Sequence, residues 1–357
     1  MTKHNHYFAL ITILSVVISL IGLIVVYNAS VVEAFTDFSD RYYFAKQQLV
    51  WLGFGLAVYF VTSRLGSKHL KKISLAFFVL SLMAMILVFV PGVGLRLQGA
   101  RRWISLGFFR FQPSELLKTS LVIYLATWLE TPKDIKKFAV LLAVCLGLIM
   151  LQPDLGTAVI VAALGFGLFY LSGSAIKEIV IFFSCLIAGT VILIIASPYR
   201  LERLKTFLDP TSDPLGRSYH INQVLIGLGS GGLSGVGLGR SRQKYSYLPE
   251  ATTDSIFTIV GEELGFIGGA LLIILLMSLS LLAFRVASRA GDQFSRLLAA
   301  GVALLFSTQT FVNLASMVAL VPLTGVPLPL ISYGGSSLVT TFLALGILAG
   351  VARLQKP

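Results

Sequence analysis

Apolar runs of bilayer length recur along nearly the whole chain, and no other feature narrows its possible folds so far. A bilayer core needs about 20 consecutive apolar residues per helix. Ten runs of this kind, some shorter, fall at roughly 7–27, 47–63, 73–91, 112–129, 138–151, 157–172, 178–197, 255–284, 297–321 and 337–352. Backbone groups in lipid must be paired within the chain, and long runs without strand-like alternation predict helices rather than a barrel. Hydrophobic residues make up 56% of the sequence and charged residues 12%, too apolar a balance for a soluble protein. The prediction is an all-α polytopic membrane protein. It forms a single integral membrane domain over 1–357, with ten transmembrane helices and a large extracytoplasmic loop at about 198–254, between helices 7 and 8. The run Tyr7–Tyr27 has a short basic flank but no small-residue cleavage site, so it reads as a retained helix rather than a cleaved signal peptide.

An even number of spans puts both termini on one side. With the termini cytoplasmic, the inner segments carry 14 Lys and Arg and the short outer loops six. The long loop is left out because long loops weigh little in orientation. Both termini are therefore expected in the cytoplasm. The outer face is still unusually basic: Arg96, Arg101, Arg102 and Arg110 lie in one loop, and Arg200, Arg203, Lys205, Arg217, Arg240, Arg242 and Lys244 in the long one. Two readings compete. The charges can attract anionic headgroups, so that membrane lipids are the partner. Alternatively, they can hold a phosphorylated, membrane-bound substrate, whose oxygens an Arg fork matches.

Within the long loop, "YRLERLKTFLD" (199–209) and "GRSYHINQVLIGLG" (216–229) have the spacing of short amphipathic helices lying along the membrane surface. Gly227, Gly229 and Gly232 spell a G-x-G-x-x-G. No βαβ unit surrounds it, so a dinucleotide site is rejected and close backbone approach is the better use of the glycines. Nothing calls for a nucleic acid partner. Cys145 and Cys185 fall in different apolar runs, without CxxC spacing or a nearby His, and read as buried small side chains. The absence of an internal repeat weighs against a secondary transporter.

Ionisable groups at membrane depth or at a helix mouth are functional candidates by default. In "FQPSELLK", Glu115 and Lys118 share one helical face at i, i+3, as an ion pair or as a pair orienting a substrate group. Asp154 in "QPDLGT" either caps the sixth helix or lines the outer mouth. Glu262 and Glu263 are consecutive, so at least one must face the bundle or a polar cavity, and packing or hydrogen bonding is the expected role. In "YLPEATTDSIF" (247–257), Glu250 and Asp254 precede the eighth span, Asp254 as N-cap or as a chemical group. The Pro/Gly-rich "PLTGVPLPLISYGGSS" (322–337) is either a rigid connection or a ligand site built on Ser332, Tyr333, Ser336 and Ser337.

Four segments together carry a resemblance: "GARRWISLGFFRFQPSELLK" (99–118), "QPDLGT" (152–157), "GSGGLSGVGLGRSRQKYSYLPEATTDSIFTIVGEELGFIG" (229–268) and "PLTGVPLPLISYGGSS" (322–337). In this order they resemble the SEDS family of bacterial cell-wall polymerases, its FtsW-type division branch more than its RodA-type elongation branch. The similarity runs over about 20–350. The family commonly has His before Thr-Asp-Phe; Thr252 and Ser255 stand at the flanking positions here.

The resemblance implies a SEDS-type bundle of ten transmembrane helices and a glycosyltransferase that polymerises lipid II at the outer face of the cytoplasmic membrane. It implies Asp254 as the general base of an inverting displacement of undecaprenyl diphosphate, its basicity raised by partial desolvation. Arg101, Arg102, Lys118, Arg203 and Arg242 become candidates for the diphosphate. Glu115 with Lys118, and Asp154, would shape the cavity, and Glu250 would help orientation. A divalent cation (Mg or Mn) could share the diphosphate charge, although no ligand set of diagnostic spacing is visible; no other cofactor is implied. The implied partners are a class B penicillin-binding protein acting as transpeptidase and other divisome membrane proteins. A lipid II flippase or transporter, and a non-catalytic divisome scaffold, are the alternative readings.

Overall fold

The structure, a computed structural model, describes residues 3–97, 100–107, 109–131, 134–174, 177, 180, 184, 189, 198–209, 213, 216, 218–245 and 247–354. Among them are eleven helices and three strands. The chain opens with α1 (Lys3–Phe38), α2 (Tyr43–Thr62) and α3 (Ser67–Leu87), then β1 (Gly94–Leu97), β2 (Ala100–Leu106) and β3 (Phe109–Phe111). It continues with α4 (Pro113–Trp128), α5 (Ile135–Leu151), α6 (Leu155–Leu171), α7 (Pro198–Leu208), α8 (Tyr219–Gly231), α9 (Ile256–Ser288), α10 (Gln293–Met317) and α11 (Gly335–Leu354).

Six of these, α1, α2, α3, α9, α10 and α11, are long and apolar enough to cross a membrane, and α6 is apolar but shorter. The chain is a helical membrane protein. Most of the expected seventh span, 178–197, with Cys185 in it, lies outside the described residues, as do Arg217 and the Arg203 side chain. Two expectations need correction. The all-α expectation misses the loop between the third and fourth spans, which holds a three-stranded antiparallel sheet, in the order β1-β2-β3, with Leu95 opposite Trp103 and Ile104 opposite Phe111. Its strands are too short to stand out against the apolar runs on either side. The first helix also continues to Phe38, beyond the expected end at 27.

α10 and α11 are mostly buried and form the centre, with α4, α6 and α9 against α10 and with α1 and α2 against α11. α2 and α11 approach closely through Gly346 and Gly350, whose spacing lets two membrane helices touch at backbone level. A Cβ on Gly346 would lie 2.1 Å from Thr62 Oγ1 and 2.6 Å from the Tyr59 carbonyl. Polar pairs fasten other contacts: Ser81 and Ser120 share a 2.7 Å hydrogen bond between α3 and α4, and Thr12 and Tyr59 one of 2.6 Å between α1 and α2. Asp134, Asp154 and Asp292 cap α5, α6 and α10 by accepting first-turn amides.

α9 is two half-helices. Gly265 sits at φ 66°, ψ −166°, a conformation open essentially to glycine alone. Segment 232–237 is spliced into the gap. Phe266 N donates to Gly232 O and Ile267 N to Leu233 O, while Glu262 O and Glu263 O accept from Val236 N and Gly237 N. These four groups at the break are thereby paired outside the helix, as a membrane-spanning chain requires.

Candidate active site

The four segments that carry the resemblance meet at one end of the bundle. Their meeting point is the 322–334 connection between α10 and α11. Ser332 Oγ donates to Thr253 O at 2.5 Å and accepts from Leu328 N at 2.8 Å, and Tyr333 N donates to Thr252 O at 2.9 Å. Ser336 accepts from Gln112 N at 3.1 Å and donates to Arg110 O at 3.3 Å, tying β3 to the start of α11. Gly156, in the first turn of α6, packs so tightly that an added Cβ would lie 2.7 Å from Thr324 O. The Arg102 guanidinium donates to the carbonyls of Gln152 (2.8 Å) and Pro153 (2.6 Å). Strand β2 and the capped α6 are thereby joined.

Asp254 lies at this junction, 8% exposed. Ser255, not Asp254, is the N-cap residue of α9, and Ser255 makes no side-chain cap bond. Thr253 Oγ1 lies 3.3 Å from Asp254 Oδ1, and Gly325 faces Oδ2, where a Cβ would stand 3.9 Å away. Asn313 of α10 holds the backbone: its Nδ2 donates to Asp254 O at 2.7 Å and to Val326 O at 2.8 Å. Asn313 is fully buried, and among the described residues its Oδ1 and the Thr324 hydroxyl have no hydrogen-bond partner. His220 of α8 shares a 2.7 Å hydrogen bond with Ser255, so α8 touches the residue beside the carboxylate. Glu250 is exposed, in a turn rather than a helix, at φ 52°, and takes Thr253 Oγ1 at 2.7 Å.

Glu115 and Lys118 are brought together elsewhere. Their ion pair is 2.7 Å long and almost fully buried, and Lys118 also donates to Gln309 Oε1 at 2.7 Å. The pair lines a small cavity with Gln309, Phe306, Pro329 and Thr340. Asp254 is not among its lining residues. The 322–334 connection is the shared wall, with Pro329 on the cavity and Gly325 on Asp254. Gln309 Nε2 donates to Pro327 O at 3.1 Å and so braces that wall.

The remaining candidates divide. Asp154 caps α6, accepting Thr157 N at 3.0 Å and Thr157 Oγ1 at 2.9 Å. Arg101 and Arg242 are exposed. Burial, reinforced by Tyr43, pushes the Tyr333 phenol up to about 12 against the pull of Arg110, and its hydroxyl donates to Gln47 Oε1 at 2.6 Å. Lys244, expected on the outer surface, is instead 5% exposed and paired with Glu263 at 3.2 Å. Among the described residues no group of three His, Cys, Asp or Glu is placed to hold a metal ion. Sequence reasoning passed over Asn313 and Gln309. The available signal was two amides at i, i+4 in an apolar run, one face of α10 marked for polar contact.

The family of cell cycle proteins that includes FtsW, RodA and SpoVE matches residues 8–357. The chain is 38% identical to the Stage V sporulation protein E of Bacillus subtilis, over 99% of both chains. It is 38% identical to a probable peptidoglycan glycosyltransferase FtsW of Trichlorobacter lovleyi, over 97% of this chain and 93% of that one. Among solved structures it is similar to a chain of a peptidoglycan synthase complex that coordinates polymerization and crosslinking, with TM-score 0.80, 30% identity and 96% of each chain covered. It is also similar to the rod shape determining protein RodA of Thermus thermophilus, with TM-score 0.72, 29% identity and 97% of each covered. The chain belongs to the FtsW/RodA/SpoVE family of cell cycle proteins.

Proposed function

We propose that this protein is a peptidoglycan glycosyltransferase of the division branch, polymerising lipid II with Asp254 as general base. The observation that carries the reading is the meeting of all four motif segments at the end of the bundle where Asp254 lies, its backbone tied by Asn313 to the last connection. Likeness over nearly the full length to relatives named as peptidoglycan glycosyltransferases supports the reaction class.

In this reaction an acceptor sugar hydroxyl attacks the anomeric carbon of a donor disaccharide. Asp254 takes the hydroxyl proton, the new glycosidic C–O bond forms, and the bond to the prenyl diphosphate breaks with inversion. A positioned base supplies about 10²–10⁴ in rate. At 8% exposure Asp254 is largely removed from solvent. The same burial means that a sugar reaches Asp254 only when the 247–253 or 322–334 segment yields. Exposed Arg101 and Arg242 are available to the departing diphosphate. Arg102 and Lys118 are engaged within the protein and act by holding the site's walls.

The basic balance of the short loops supports cytoplasmic termini, which turns the Asp254 end outward, where a class B penicillin-binding protein would cross-link the new strand. The buried ion pair of Glu115 and Lys118 at membrane depth favours one rival, a lipid II transporter. One experiment separates them: purified protein given lipid II, with and without the transpeptidase, analysed on gels for glycan strands. The polymerase reading expects strands. Transbilayer movement of lipid II in vesicles without strand formation overturns it.

A further inference from the structure

Glu262 and Glu263 are each 2% exposed, yet the reaction uses neither. The chain that follows the spliced segment wraps them. Glu263 accepts Gly239 N at 3.0 Å and Ser241 N at 3.1 Å, and Glu262 accepts Arg242 N at 2.9 Å, Gln243 N at 3.3 Å and the Ser241 hydroxyl. Successive amides aimed at two carboxylates make an anion nest built from the protein's own side chains. One buried cation completes it: Lys244 Nζ lies 3.2 Å from Glu263 Oε1 and donates to Asn28 Oδ1 at 3.0 Å. Asn28, on α1, returns its Nδ2 to Glu263.

This network closes a ring. From Lys244 the chain runs through turns: Tyr245 N donates to Arg242 O, Leu248 N to Gln243 O, and Thr253 N and Ser255 N to Glu250 O. It then enters α9 at Ile256 and descends the first half-helix to Glu263, which the Lys244 ammonium joins back to the start. Asp254 stands near the midpoint of the ring. Gly265 interrupts α9, so the position of the first half-helix is set by its own contacts, the clasp among them, rather than by the continuing membrane helix.

We propose that Lys244, Glu263 and Asn28 are positioning residues, whose network fixes the ring that carries Asp254 and fastens it to α1. The proposal rests on the reading of Asp254 as the base. Positioning is worth much in such a reaction, since a displacement of about 1 Å caused far from the chemistry can cost about 10²-fold in rate.

The test uses the full chain with its transpeptidase, comparing wild type, Lys244→Met and Asn28→Ala by amide hydrogen exchange and by lipid II polymerisation kinetics. In Lys244→Met, exchange across 245–255 is expected to rise about tenfold while α10 is unchanged. In the same variant kcat falls about 10²-fold and KM stays within about twofold. Asn28→Ala leaves the ion pair in place, so it reports even where Lys244→Met does not fold, with the same pattern and a kcat loss of about tenfold. Unchanged exchange and kcat in these variants overturn the proposal, and so does an equal rise of exchange in every helix. If wild type makes no glycan, the reading of Asp254 fails, while the exchange arm still decides the clasp.

Discussion

One nitrogen, Asn313 Nδ2, donates to the carbonyl of Asp254 at 2.7 Å and to that of Val326 at 2.8 Å. It joins α10, the mouth of α9 and the last connection at a point without solvent. Asn313→Leu leaves both carbonyls buried and unpaired, at about 1–3 kcal/mol each. Its thermal midpoint in detergent should fall clearly below that of wild type, and glycan synthesis should fall with it as Asp254 loses its fixed place. An unchanged midpoint and rate would show that the tether matters little.

Gly265 tests the broken helix. An added Cβ would stand 2.3 Å from Gly235 N, in a backbone conformation costing a non-glycine residue about 1–3 kcal/mol. Gly265→Ala should therefore give little monodisperse protein on size exclusion. Gly53→Ala, whose Cβ would meet nothing within 4 Å, should behave as wild type.

Glu115 and Lys118 are both buried, so removing one charge strands the other. Either Glu115→Leu or Lys118→Met should cost about 3–5 kcal/mol, and the double variant much less than the sum. Thermal melts of the three variants measure this. Additive losses would mean that the two charges do not interact.

The Tyr333 phenol is pushed up to about 12 by burial, while an unfolded tyrosine loses its proton near 10. The folded state thus favours the protonated donor to Gln47. The stability this contributes is complete below about pH 10 and is lost as pH rises toward about 12. Tyr333→Phe should lose about 1 kcal/mol at neutral pH and show a flatter alkaline decline in thermal midpoint. The same decline as wild type would place the titration elsewhere.

The membrane helices were legible because lipid imposes a length and a composition on each run. The break in α9 was not. Gly265 looks like any glycine in an apolar helix until segment 232–237, about thirty residues earlier, is placed beside it. Likewise Lys244 reads as one more outer basic residue, because its partners Glu263 and Asn28 lie 19 and 216 positions away. Asp254, Glu115 and Asp154 stood out as carboxylates beside apolar runs. Their arrangement did not, since one loop packs against Asp254 on one side and borders the Glu115–Lys118 cavity on the other.

The account stands most directly on the Asp254 carboxylate. Asp254→Asn keeps the shape and removes the base. In the lipid II gel assay with the transpeptidase present, the variant should remain folded, bind its partner and make no glycan strands. Strands made at the wild-type rate would contradict the central claim.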